Sequence, residues 1–316
     1  MENGIPRRVS IAIVGAPKCA TTSMLRYLGQ HPELHDHPQA ECDYFLNAAE
    51  FGRGWEYAQA RYYPKDPGPP VLLVAKRAVM LYDSDSLGRL AEHNPNAVVI
   101  ALLRNPVDRA YSAYSYARLR GWQKPEPFEA AVEGELAAGP SKDADPHGPG
   151  GYLSTGVYSW HVQRLFDAFP AEQVHLFTTE EVARGGDGGS VWSAVFSAAG
   201  VDPDFVPELQ VRHNVGAKPR SERLAQVLAS KDGAMGFVRR VTPERILDRA
   251  RRVTSSVIAK PGELEEMEPE TRAGLERFYE PYNRELEGLL GRPTFWAEPS
   301  NHLDGAPVAG VTQTAE

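Results

Sequence analysis

A strand, a loop and a helix start between Val9 and Gly29 constrain this chain more than any other stretch. The run Val9-Ser-Ile-Ala-Ile-Val-Gly15 is apolar, rich in β-branched residues, and stops at a glycine; a helix opens near Thr21. A buried parallel strand feeding a helix has this pattern. The loop between them sets Gly15, Lys18, Thr21 and Thr22 at the helix N-terminus. Free N–H groups and the helix dipole favour an anion there. Physics alone therefore predicts a phosphate site.

The loop departs from Walker A. Laid on G-x-x-x-x-G-K-[ST], Gly15 takes the first glycine and Thr22 the final hydroxyl. Ala20 then stands where the second glycine belongs, Thr21 stands at the lysine, and the loop's lysine has moved upstream to Lys18. A Walker lysine reaches the β- and γ-phosphates of a triphosphate, so its displacement suggests a nucleotide without that γ-group.

Downstream, short apolar runs alternate with helical patterns. Val71–Val74 and Ala97–Leu103 read as buried strands, as does Val174–Phe177. Helices are predicted over Ser84–His93, from Pro106 onward, over Gly151–Phe169, over Val191–Ala199, and over Glu268–Leu290 with a break or kink at Pro281. Residues Glu41 to Tyr63 are rich in aromatic side chains and fit a half-buried loop and helix. Strand alternating with helix predicts an α/β fold: a P-loop-like parallel sheet flanked by helices, in a single domain over residues 1–299. The Gly/Pro/Asp-rich stretch 137–151 predicts a mobile insert, and residues 300–316 a disordered tail.

Composition narrows the partners. The net charge is −8, from 34 basic and 42 acidic residues, which disfavours nucleic acid. Two cysteines, Cys19 and Cys42, cannot build a disulfide framework and fit a reducing compartment. The apolar run after Arg7 and Arg8 is too short for a signal core or a membrane span. The expectation is a cytoplasmic protein with no membrane span; its oligomeric state is not legible.

A second anion motif ends the strand Ala97–Leu103, in the string Arg104-Asn-Pro-Val-Asp-Arg-Ala-Tyr-Ser112. A Mg²⁺-dependent NTPase usually carries an Asp at such a strand end. Arg104 instead offers a fixed cation with a bidentate fork suited to phosphate. The sequence here resembles the sulfotransferases that use 3′-phosphoadenosine 5′-phosphosulfate (PAPS), in the Golgi, glycosaminoglycan-type and bacterial branch. Their Pro-Lys-x-x-Thr-Thr loop is matched by Pro17-Lys18-Cys19-Ala20-Thr21-Thr22, and their Arg with a Ser eight residues on by Arg104 and Ser112. The likeness runs from about Ile11 to Trp296.

The resemblance implies sulfuryl transfer to a hydroxyl or amine of a small-molecule, lipid or saccharide acceptor, without a metal. By it, Lys18 neutralises the leaving phosphate and sulfuryl oxygens, the loop from Pro17 through Ser23 holds the 5′-phosphate, and Arg104 with Ser112 holds the 3′-phosphate. The family's base is a Glu in a Lys-Glu-x-x-(aromatic)-Phe segment, matched by Ala40-Glu41-Cys42-Asp43-Tyr44-Phe45 with the Lys absent. Glu41 is thus the candidate base, expected among Tyr44, Phe45 and Trp55, where burial would raise its pKa. His35 and His37 are rival bases. A metal reading of His31, His35, His37, Glu41, Cys42 and Asp43 is less favourable than polar loop residues.

Lys76 matches the lysine of the family's Glu-Lys-(Ser/Thr)-Pro segment, of which only that residue is kept in Ala75-Lys76-Arg77-Ala78. Facing the carboxylate and facing solvent are both open readings for it. Lys218 and Arg220 fall in a basic loop where the family closes a lid, and either phosphate contact or plain exposure fits. Tyr152 is read as lining an acceptor or adenine pocket, or as core. Two other functions are weighed: a P-loop kinase or NTPase, disfavoured by the displaced lysine and by Arg104, and a non-catalytic nucleotide-binding protein, disfavoured by the retained Lys18.

Overall fold

The computed structural model describes residues 7–65, 71–146, 150–184, 190–209, 217–219, 259–261, 267–294 and 296. The chain packs as two compact units, each assembled from separate stretches of sequence. One comprises residues 1–105, 158–213 and 281–316; the other comprises 106–157 and 214–280.

The first unit is built on a five-stranded sheet. Strands β1 (Val9–Gly15), β2 (Leu34–Asp36), β3 (Leu72–Lys76), β4 (Val98–Leu103) and β5 (Val174–Thr178) lie in the order β2-β3-β1-β4-β5. Every pairing is parallel. All six residues of β4 and all of β1 but Ser10 are buried, so both faces of the sheet are covered, as parallel sheets require. Among the described residues, helices of this unit include α1 (Thr21–Leu28), α2 (Ala48–Phe51), α3 (Trp55–Tyr62), α4 (Ser84–His93), α7 (Tyr158–Ala168), α8 (Thr179–Arg184) and α9 (Ser190–Ala199). Tyr27 of α1 meets Trp192 of α9 edge to face at 5.6 Å, which locks the two helices together over the sheet.

The second unit holds α5 (Pro106–Arg120), α6 (Phe128–Ala138) and the short antiparallel pair β6 (Ala217–Pro219) and β7 (Ala259–Pro261). Helix α10 (Pro269–Leu290) continues through Pro281 as one helix, so the break expected as one alternative there is not found. The predicted helix over Gly151–Phe169 is also corrected: residues Ser154–Gly156 form a 3₁₀ turn, and the α-helix begins at Tyr158. The amides of Tyr152, Leu153 and Ser154 donate to the Glu135 carboxylate rather than to a helical ladder. Of the 137–151 stretch, Ala137 and Ala138 complete α6, while residues 147–149, like the tail 300–316, lie outside the described residues. Among the described residues no helix is long and apolar enough to cross a membrane.

Candidate active site

Strands β1 and β4 are neighbours, and the chain leaves β1 toward β2 and β3 on one side but leaves β4 toward β5 on the other. Ligands bind at the carboxyl ends of strands at such a switch point. Three neighbouring strand ends meet there: Gly15 on β1, Lys76 on β3, and Leu103 with the following Arg104 on β4.

The loop after β1 turns without glycine. Lys18 and Ala20 take left-handed backbone angles, φ 72° and 60°, so the position where Walker A keeps a glycine retains glycine's conformation on an alanine. The Ala16 N–H donates to the Leu102 carbonyl at 2.8 Å, tying the loop to β4. Gly15 is required by close packing: a Cβ there would fall 2.5 Å from the Cβ of Leu81. Met24 N–H donates to the Ala20 carbonyl at 3.1 Å, which is the first helical bond of α1. The amides of Thr21, Thr22 and Ser23 precede that bond, and the N-cap Ala20 offers no side-chain acceptor. A helix start with free amides is an anion site.

Lys76 sits beside this loop with its side chain only 2% exposed. Its Nζ donates to Glu41 Oε1 at 2.8 Å and to Thr22 Oγ1 at 3.1 Å. Burial pushes its ammonium below the usual lysine range, and the Glu41 carboxylate opposes that shift. The other oxygen of Glu41 accepts from the Ala78 N–H at 3.2 Å and lies 4.0 Å from an Arg77 nitrogen. Arg77 Nε lies 2.8 Å from Asp43 Oδ1 as an ion pair without hydrogen-bond alignment.

Tyr44, Phe45 and Trp55 pack around His93, with Trp55 at 4.4 Å, Phe45 at 5.3 Å and Tyr44 at 6.3 Å. Burial there lowers the His93 pKa to about 4. The described partners of Glu41 are N–H and cationic groups, which follows from the register that carries Lys76, Arg77 and Ala78 past it.

The rival bases fall elsewhere. His37 is fully buried; its Nδ1–H donates to the Gln39 carbonyl at 3.0 Å, and its Nε2 accepts from the Lys76 N–H at 3.1 Å. Burial, reinforced by the charge of Lys76, lowers its pKa to about 3. His35 is half-buried on β2, its ring 6.0 Å from that of Tyr63. His31 has both ring nitrogens occupied, by the Glu33 N–H and the Asp202 carbonyl. Both cysteines are buried and unbridged, and burial pushes the Cys42 thiol up to about 12. Cys19 Sγ lies 3.7 Å from the Tyr158 hydroxyl.

Arg104 is half-buried, and no described residue pairs with its guanidinium. Ser112 lies half-buried on α5 in the second unit. Tyr152 is buried in that unit, its hydroxyl donating to Gln123 Oε1 at 2.8 Å and its carbonyl accepting from Arg109; core packing therefore accounts for it. Lys218 is on β6, and its side chain, like the whole of Arg220, lies outside the described residues. Sequence reasoning missed Arg77, the Ala78 amide and Glu135. The first two carried a signal, since they directly follow Lys76 at a strand end.

Comparison with known proteins identifies the family. Residues 9–185 match the family described as a sulfotransferase domain, more than half of the 316 residues. The bifunctional heparan sulfate N-deacetylase/N-sulfotransferase 1 of Mus musculus is 26% identical over 179 residues, 55% of this chain and 20% of that protein. The Homo sapiens form 3 is 23% identical over 209 residues, 65% of this chain and 24% of that protein. The chain thus spans a fifth to a quarter of the length of these relatives. A sulfotransferase crystal structure from Alicyclobacillus acidocaldarius shares the fold, with a TM-score of 0.60, 24% identity, and coverage of 91% of this chain and 97% of that one. With its anion loop at the sheet's switch point and its sequence matched over that whole half of the chain, the protein belongs to the sulfotransferase family of enzymes.

Proposed function

We propose that this protein moves a sulfuryl group from PAPS to a hydroxyl or amine of a small-molecule, lipid or saccharide acceptor, with residues 1–299 as the catalytic domain. The observation that carries the reading is the amide-rich loop Gly15–Ser23 with the Lys76–Glu41 pair bonded directly to its Thr22 hydroxyl. Such a loop neutralises charge that builds on a leaving phosphate, and a carboxylate beside it can serve as the base for the attacking group.

In this scheme the amides and hydroxyls of Thr21, Thr22 and Ser23 hold the 5′-phosphate, and Lys18 neutralises the leaving phosphate and sulfuryl oxygens. Arg104 and Ser112 take the 3′-phosphate by resemblance to the family, and the lack of any partner for the Arg104 guanidinium among the described residues supports that role. Sulfuryl transfer needs in-line geometry and stabilised non-bridging oxygens, as phosphoryl transfer does. Glu41 removes the acceptor's proton, the acceptor's lone pair forms the bond to sulfur, and the bond from sulfur to the phosphate oxygen breaks. The charge in this scheme comes from lysine, arginine and amide groups. The N-sulfotransferase names of the matched relatives support an amine among the acceptors.

Calorimetric titration with adenosine 3′,5′-bisphosphate in the presence of a chelator tests the donor site. Saturable binding of that nucleotide, and sulfated product by mass after incubation with PAPS and candidate acceptors, are expected. Failure to bind it, together with Mg²⁺-dependent ATP turnover, would replace the reading with a P-loop kinase or NTPase.

A further inference from the structure

Lys76 touches both halves of the site at once, the Glu41 carboxylate and the Thr22 hydroxyl. An ammonium has only donors, so Thr22 Oγ1 must be the acceptor in their contact. The hydroxyl hydrogen of Thr22 is therefore turned away from Lys76 and remains able to donate to an anion at the helix start.

The lysine is also fixed through its main chain. Its N–H donates to His37 Nε2 at 3.1 Å, and its carbonyl accepts from the Cys42 N–H at 2.8 Å. The segment carrying Glu41 is thereby stitched to the end of β3 on both sides of the carboxylate. Arg77 and the Ala78 N–H hold the second carboxylate oxygen, so the Glu41 carboxylate is kept beside Lys76.

We propose that Lys76 is a positioning residue that couples the charge on Glu41 to the donor strength of Thr22 toward the 5′-phosphate; this rests on the function proposed above. The proton leaving the acceptor ends on Glu41, and the electron pair of the broken sulfur–oxygen bond stays on the departing phosphate. Lys76 gains and loses no proton. As the carboxylate is neutralised, the ammonium 2.8 Å away is no longer offset, and its field acts on Thr22 at the moment the phosphate gains charge. Inside a water-poor site such a field is weakly screened.

A set of double-mutant cycles tests this, read as the dissociation constant for adenosine 3′,5′-bisphosphate. Glu41→Gln and Thr22→Val are combined in the parent chain and again in Lys76→Met. In the parent background the two changes should be non-additive by about threefold or more, as expected of groups in one hydrogen-bonded network. In Lys76→Met that non-additivity should vanish. Should Lys76→Met fail to fold, Lys76→Gln, which keeps polarity but no charge, carries the same expectation. Additive effects in the parent background would overturn the proposal, and so would non-additivity that survives loss of the lysine, since the coupling would then run through space. An unsubstituted protein that binds no adenosine 3′,5′-bisphosphate would sink the proposed function and this inference with it; additive cycles around normal binding would sink this inference alone.

Discussion

Glu135 is the residue whose substitution should be felt most outside the anion loop. It is 7% exposed and accepts four hydrogen bonds: Tyr152 N–H at 2.7 Å, Leu153 N–H at 2.9 Å, Ser154 N–H at 3.1 Å and Ser154 Oγ–H at 3.2 Å. In Glu135→Gln the amide oxygen can keep the position of Oε2 and its three donors. The NH₂ then faces the Tyr152 N–H, which is left buried without an acceptor. An orphaned buried donor costs about 1–3 kcal/mol, and the remaining bonds lose their charge assistance. The sum is about 2–3 kcal/mol of local stability, and Glu135→Ala, which orphans all three amides, should lose more. Because two compact units need not unfold together, the assay is native-state hydrogen exchange. Protection of the Tyr152, Leu153 and Ser154 amides should fall by about 30- to 150-fold in Glu135→Gln, while the sheet amides of β1 and β4 keep theirs. A fall of less than about threefold at those three amides would refute the reasoning.

Three further outcomes follow from the site and its surroundings. Lys18→Ala should lower kcat/KM for sulfuryl transfer by about 10²- to 10³-fold, the scale for removing one preorganised charge partner, as measured by mass of sulfated product. Gly15→Ala sets a Cβ 2.5 Å from Leu81 Cβ and 2.7 Å from its Cδ2, so it should cost about 1–3 kcal/mol, read from the urea midpoint. The double variant with Leu81→Ala should lose less than the sum of the two single changes. His37 is neutral in the native protein with its pKa lowered to about 3, whereas the unfolded chain takes up a proton near the ordinary value of about 6.5. Its contribution is therefore intact above about pH 6.5 and is lost progressively as pH falls toward 3, about 2 kcal/mol between pH 7 and 5. A His37→Gln protein should be less stable at pH 7 but show a shallower acid decline by chemical denaturation.

The elements that frame the site were legible because their signals are local. An apolar run ending at Gly15, and another ending at Leu103, bound the observed β1 and β4 to within a residue. Lys18, Thr21, Thr22 and Arg104 could be singled out for the same reason: each lies within a few residues of a strand end or a helix start. Local periodicity misjudged Gly151–Phe169, where a carboxylate from α6 draws three amides out of the helical pattern. It also gave no sign that Tyr44, Phe45 and Trp55 gather around His93.

The amino-acid order by itself determined a parallel α/β sheet with an anion loop after its first strand, since strand, turn and helix start are written in neighbouring residues. Only the tertiary structure decided what that loop touches. Thr22 and Glu41 stand 54 and 35 positions from Lys76, and nothing in their local spacing foretells the contact. The parallel register that sets Ile13 beside Lys76 and Asp36 beside Val74 brings the segments that carry those side chains to the carboxyl ends of the strands. Burial there turns an ordinary lysine into a bridge between a carboxylate and a hydroxyl.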